Sequence, residues 1–276
     1  MEKNEFEKVL TGYVQNSPLN HLKKEVALRP DLEGMRFYDD PVFGYASAAD
    51  PYFTEAKKPE IIGPHFMTPE EWLPGAKTVV SVFSPYTLQI REANRQNMAW
   101  PAEEWLNGRI EGQAFLISLL HFAADFLVEK GFSAMYPMKD SRFRMYNSDS
   151  YKKTEEAYYT SNWSDRHAAY AAGLGTFGLS KGLITRKGVA GRYLSIITTA
   201  DFEPDRRPYT GIYDYCIKCG ACARNCPAMA ISKERGKLHY PCSEFLDSVT
   251  AKHAPYYGCG KCQVKVPCED RAPGAR

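Results

Sequence analysis

Cys216-Ile217-Lys218-Cys219-Gly220-Ala221-Cys222-Ala223-Arg224-Asn225-Cys226-Pro227 packs four cysteines into eleven residues and closes on a proline. Thiolates at this C-x2-C-x2-C-x3-C-P spacing can wrap three corners of a cubane. The fourth, turned away by the proline, reaches a second cluster. Four more cysteines follow, as Cys242, then Cys259-x2-Cys262, then Cys268. Eight thiolates match the eight corners of two 4Fe-4S clusters. Interleaving assigns Cys216, Cys219, Cys222 and Cys268 to cluster 1, and Cys226, Cys242, Cys259 and Cys262 to cluster 2. Zinc favours two ligand pairs across a longer loop, and disulfides belong to oxidising compartments. The second group departs from an ordinary ferredoxin half, which would place a cysteine before proline four positions after Cys262. Val266 stands there and Cys268 follows Pro267, so the pattern fixes Cys268 less firmly than the other seven.

Upstream, the first 215 residues hold no cysteine. A compact metal-binding module is therefore joined to a larger cysteine-free domain, and a length of 276 residues suits one large domain plus a small one. A formal net charge of +2 gives no electrostatic argument for a nucleic-acid partner. The 18 tyrosines against 14 phenylalanines suit either a large, partly polar cavity or a tyrosine-rich core. MEKNEFEKVLTGYVQ at the N-terminus is charged and lacks the apolar run of a signal peptide. Ala114 to Val128 is the most apolar stretch, but Ser118, His121 and Asp125 interrupt it, so no membrane span is expected. The chain reads as soluble and cytoplasmic.

Helices are expected over 2–15, where Phe6, Val9, Leu10 and Tyr13 share a face, over 102–130 with Gly131 as a C-terminal cap, and over 154–172 with a break near 162–165. Thr68-Pro69-Glu70-Glu71 has the form of a helix start. TVVSVF (78–83) is the clearest strand, with others expected over 132–138, 182–185 and 192–199. Residues 30–75 read as an irregular wrap, and 200–215 as a linker. Strands and helices mix without a βαβ rhythm, which favours α+β over a doubly wound sheet.

Gly173-Leu174-Gly175-Thr176-Phe177-Gly178 spells G-x-G-x-x-G. A dinucleotide site needs strand, loop and helix in that order, whereas here an alanine-rich helix precedes the glycines. The remaining readings are a tight helix-to-strand connection or a place where backbone approaches a large flat ligand.

The stretch from Arg166-His167-Ala168-Ala169-Tyr170-Ala171-Ala172 through this loop to Leu183-Ile184-Thr185 resembles the signature of epoxyqueuosine reductases and their relatives. Leu73-Pro74-Gly75-Ala76-Lys77-Thr78-Val79-Val80-Ser81-Val82 resembles their strand entry. The architecture is shared with reductive dehalogenases, and the resemblance runs from about residue 60 onward. It implies a nitroreductase-like, cobalamin-binding α+β domain over 1–203 and a ferredoxin-like double-cluster module over 204–276. It also implies a base-off cobalamin (or other corrinoid) against Gly173 to Gly178, with one cluster near the cobalt, and an upstream electron donor such as ferredoxin or flavodoxin. The family's acidic proton donor, however, falls on Tyr159 and its proline on Asn162. Its helical extension for tRNA has no counterpart in the eight residues after Cys268, so tRNA is an unlikely partner.

Tyr158 and Tyr159 are the candidate proton donors, with Arg142, Arg144, Lys152 and Lys153 near in sequence; packing of the two rings is the plainer alternative. His167 is a candidate cobalt ligand or a hydrogen-bonded structural histidine, and Asp165 a helix N-terminal acid. The leading reading is an iron–sulfur oxidoreductase that passes electrons to cobalamin, as a corrinoid reductase or a corrinoid-dependent small-molecule reductase. The alternatives are an epoxyqueuosine reductase and a non-catalytic electron-transfer partner.

Overall fold

Thr78–Pro85 is buried at every position and forms the centre of the main sheet, as a run of Val, Phe and Ser on a two-faced strand should. The computed structural model describes residues 1–147 and 159–275. In chain order the first half contains α1 (Lys3–Asn16), β1 (Val42–Ser47), α2 (Pro51–Glu55), α3 (Pro69–Trp72), β2 (Thr78–Pro85), α4 (Leu88–Gln96), α5 (Glu103–Glu129) and β3 (Ala134–Met135). Then come β4 (Met145–Asn147), β5 (Tyr159–Ser161), α6 (Asp165–Ala171), β6 (Gly175–Phe177), β7 (Leu183–Thr185) and β8 (Gly191–Thr198). The cysteine region adds α7 (Ala221–Arg224), β9 (Ile231–Ser232), β10 (Gly236–Lys237) and α8 (His239–His253).

The main sheet has the order β1-β2-β8-β3 and is antiparallel throughout. Together with helices on both faces this is the expected α+β architecture. Alternation along the strands divides the core. Val80, Val82, Leu194 and Ile196 meet α1 and α5, whereas Val79, Phe83 and Ile197 meet α6 and the loops around it. Helix α5 is long and apolar enough to cross a membrane by length and composition. Here it buries Phe115, Leu116, Leu119 and Leu120 against the sheet.

The cysteine region is packed into both cores. Val264 belongs to the α5-side cluster and Val266 to the α6-side cluster, together with Tyr209, Tyr215 and Ala221.

The local signals at the helix ends act as expected. Thr68 and Glu71 form a reciprocal capping box, and Gly131 adopts φ +87° just past α5. Three expectations change. The helix expected over 154–172 begins only at Asp165, because Thr160 and Ser161 pair with β4 and the Asn162 side chain bonds the backbone of Arg142 and Arg144; 154–158 lie outside the described residues. The irregular wrap over 30–75 contains β1, a full partner of β2. The strand expected over 132–138 shrinks to Ala134–Met135, since Pro137 opens a 3-10 turn. The tyrosines divide between the two cores, with Tyr52, Tyr170, Tyr209 and Tyr215 on the α6 side and Tyr38, Tyr45 and Tyr86 on the α5 side, where Tyr38 and Tyr86 both donate to the Gly108 carbonyl.

Candidate functional site: two thiol sets on one cleft

The eight cysteines carry no disulfide. They gather as two sets of four. Cys226, Cys242, Cys259 and Cys262 line one cavity of about 240 Å³. Cys216, Cys219, Cys222 and Cys268 line a second, smaller and apolar one. The interleaved grouping expected from spacing, including Cys268, is thus the grouping in space. Among the described residues, no three His, Cys, Asp or Glu side chains converge closely enough to hold a single metal ion. Four thiols around a volume, rather than around a point, suit a cubane better than zinc.

Burial, and then neighbouring thiols (for Cys222 first Cys262 of the other set, for Cys268 its own set), push Cys222 up to about 11 and Cys268 up to about 12. Burial likewise pushes Cys259 up to about 12. Such thiols ionise when a metal replaces the proton.

Each set is anchored to the larger domain. Asn94 of α4 donates to the Cys259 carbonyl at 3.0 Å, and its own two oxygens accept from the fully buried Lys261 ammonium, both at 2.6 Å. Burial pulls that lysine down to about 8. Gly260, at φ +66°, has no room for a Cβ because the Trp105 indole lies where it would go. Behind Cys268, the buried Glu269 carboxylate accepts from Arg91, Arg95 and the Lys265 amide.

The cluster 2 cavity opens into a cleft. A neighbouring cavity of about 430 Å³ shares Gly191, Arg192 and Gln263 with it. A third, of about 360 Å³, shares Arg166 with the second and is lined by Tyr159, His167, Phe177, Gly178 and Lys181. Arg166 keeps exposed surface, but that surface is cleft wall, and burial pushes its guanidinium down. Its Nη1 donates to the Lys181 carbonyl at 2.5 Å.

His167 lies on this wall. Its Nδ1 is 2.8 Å from the Ser164 hydroxyl, its ring is 4.8 Å from that of Phe177, and burial pulls it down to about 3. The imidazole is therefore neutral. Tyr159 lines the cleft edge-on to His239 and donates to the Met145 sulfur at 3.0 Å; Tyr158 lies outside the described residues. Arg142 and Arg144 are engaged elsewhere, with Asp140 and with local carbonyls. Asp165 opens α6, lines the second of these cavities and accepts from Ser195 at 2.5 Å.

The glycine loop divides. Phe177 and Gly178 face the cleft, but Gly173, Leu174, Gly175 and Thr176 do not line it. A Cβ on Gly175 would strike the Ile184 carbonyl of its own hairpin partner, Leu174 packs on Gly44, and the Thr176 hydroxyl accepts from the Tyr215 amide. Most of the motif therefore serves close packing of β6 on β7 and of the linker. Sequence reasoning missed Arg109, Arg192, Lys237 and Gln263, which distant elements bring to the cluster 2 cavity. No local spacing signals them.

The model of the 4Fe-4S binding domain family matches residues 209–232. A tetrachloroethene reductive dehalogenase of Desulfitobacterium hafniense is 40% identical over 68 residues, 24% of this chain and 12% of that protein. A trichloroethene reductive dehalogenase of Dehalococcoides mccartyi is 30% identical over 80 residues, 29% of this chain and 14% of that one. Among solved structures, epoxyqueuosine reductase from Streptococcus thermophilus matches with a TM-score of 0.53 at 17% identity, over 98% of this chain and 69% of that chain. This chain has the fold of the epoxyqueuosine reductases and reductive dehalogenases. A variant of a catabolic reductive dehalogenase agrees, with a TM-score of 0.51 at 18% identity over 98% of this chain but 38% of that one. The chain thus spans well under half of the solved dehalogenase and matches a small part of the curated ones. Within the shared fold it carries a 4Fe-4S-binding segment.

Proposed function

We propose that the chain is an iron–sulfur oxidoreductase that passes electrons through two 4Fe-4S clusters to a corrinoid held in the cleft, acting as a corrinoid reductase or a corrinoid-dependent small-molecule reductase. The observation that carries this reading is the grouping of the thiols: four and four, with the second four opening into the cleft that His167, Phe177 and Tyr159 line. A corrinoid also fits an orphaned atom. Among the described residues, the Gln263 amide oxygen is buried without a partner on the wall shared by two of the cavities, and the peripheral amides of a corrin would supply the missing donor.

When bound, the corrinoid would supply a cobalt centre that accepts electrons one at a time. Phe177 and Gly178 offer it an apolar surface without bulk, and Gln263 an acceptor. The neutral His167, fixed through Ser164, presents a ring nitrogen without bringing a charge. Tyr159 is the hydroxyl placed to hold or deliver a proton at the cleft wall. Electrons enter at cluster 1 from an external donor such as ferredoxin or flavodoxin.

Anaerobic reconstitution tests this. About eight irons per chain are expected, and added cobalamin should remain with the protein through gel filtration and show the eight-line cobalt hyperfine pattern of base-off Co(II), each line free of nitrogen splitting. Full cluster content with no retained corrin would leave the electron-transfer partner as the correct reading. Restored queuosine in a strain lacking the reductase would establish the tRNA enzyme instead.

A further inference from the structure

The two thiol cavities differ in charge. Among the described residues, no charged side chain lines the cavity of Cys216, Cys219, Cys222 and Cys268, and Arg224 reaches only the Cys219 carbonyl, at 3.2 Å; the other walls of the cavity include Leu179, Ile184, Ile217, Val266 and Pro273. The cavity of Cys226, Cys242, Cys259 and Cys262 is lined by Arg109, Arg192, Lys237 and Lys261, and by no acid. Two of these cations, Arg109 and Lys237, have phenols, thiols or other cations for neighbours instead of carboxylates, whereas Arg192 acts on the Asp165 carboxylate. Arg109 donates to the Tyr257 hydroxyl at 2.6 Å, and Arg192 to the Gln113 side chain at 2.7 Å. Lys237 lines the same cavity wall as Cys242 and Cys262 and lies beside Arg166, whose guanidinium acts on Cys262.

Cations desolvated without a counter-charge are costly. A cubane held by four thiolates carries about two negative charges, and about three once reduced. An adjacent cation therefore stabilises the reduced form more than the oxidised one, and raises the potential of the cluster it faces.

The charge placement points to Lys237 and Arg109, with Arg192 and Arg166 behind them, as positioning residues that hold cluster 2 at a higher reduction potential than cluster 1. Electrons then run from the apolar site to the cationic one and collect at the mouth of the cleft. This rests on the two-cluster reading above and adds a direction to it.

The test is an EPR redox titration of the full chain with both clusters in place. Cys219→Ser, which perturbs cluster 1 alone, assigns the two signals. Cluster 2 is expected at the higher potential. Lys237→Met and, separately, Arg109→Met should each weaken its reduction about tenfold, a shift of ~59 mV, while cluster 1 stays in place. Lys237→Arg should hold the native value, and Lys237→Gln provides a second neutral variant should methionine impair folding. A role in packing alone would not move one potential and spare the other. Two assembled clusters whose potentials coincide, or which shift together or not at all, overturn this assignment and leave the relay intact. Assembly of a single cluster overturns the relay and this assignment with it.

Discussion

The two faces of the β1-β2-β8-β3 sheet are built to different ends. On the α5 side, Phe115, Leu116, Val80, Val82 and Leu194 form a buried apolar core. On the α6 side the strands present Ser81 and Ser195 at paired positions. The Ser195 hydroxyl accepts from the Trp163 indole at 2.8 Å and donates to Asp165. Beyond that network the packing gives way to the cleft. Buried polar groups weaken a core unless fully satisfied. The α5 face supplies stability, and the α6 face uses its Trp163–Ser195–Asp165 chain to hold Trp163, Arg166 and His167 in place.

The sharpest way to break the comparison is Phe115→Ala. Deleting that ring from the apolar face should cost about 3–5 kcal/mol, read by chemical denaturation, with iron content per folded chain unchanged. Next comes Gly260→Ala, at the point where α5 meets the cysteine region. A positive φ costs about 1–2 kcal/mol for a non-glycine residue, and the Cβ would collide with Trp105. Iron should fall towards half, with the cluster 1 EPR signal surviving; loss of both signals would show that the two sites assemble as one unit. Ser195→Ala, on the polar face, removes a donor to Asp165 and an acceptor for Trp163, for about 1–3 kcal/mol. Its effect should also appear as weaker cobalamin retention, a loss that Phe115→Ala does not cause.

The smallest effect is one of pH. His167 is held down to about 3 in the folded chain, whereas its ordinary value is near 6.5. As pH falls below about 6.5 the unfolded chain takes up a proton that the folded one refuses, so stability declines, by at most ~1.4 kcal/mol per pH unit. That decline continues until the folded value is reached. The unfolding free energy of His167→Gln between pH 7 and 5.5 should be flatter than that of the native protein. An equal slope would place the titrating group elsewhere.

Much of the fold was legible in the sequence because its signals are local. TVVSVF, the Thr68–Glu71 capping box and the Gly131 stop each depend on a few adjacent residues. The cysteine spacing was legible for the same reason, and even the displaced Cys268 falls into its set. What resisted reading depends on distance. Strand β1 lacks alternation because Gly44 leaves room for the Ala172 carbonyl and Leu174 of a segment far along the chain. The helix expected before Asp165 loses to a pairing with β4 that its own composition does not announce. The G-x-G-x-x-G run looked like a ligand loop, yet Gly175 is small for its neighbour Ile184. The cations of the cluster 2 cavity come from α5, β8, β10 and the Cys259 loop, and a residue pattern cannot reveal a juxtaposition of that kind.

The interlaced thiol sets also bear on how the protein is made. One thiol set takes three members from before Cys226 and a fourth from Cys268, and the other spans Cys226 to Cys262. Neither set is complete until the ribosome has passed most of the region, and the first to begin is the last to close. Val264 and Val266 must by then have seated in two separate cores. A chain truncated by a stalled ribosome or clipped by a protease ahead of Cys268 therefore loses one member of the first set while the second, which ends at Cys262, is still whole.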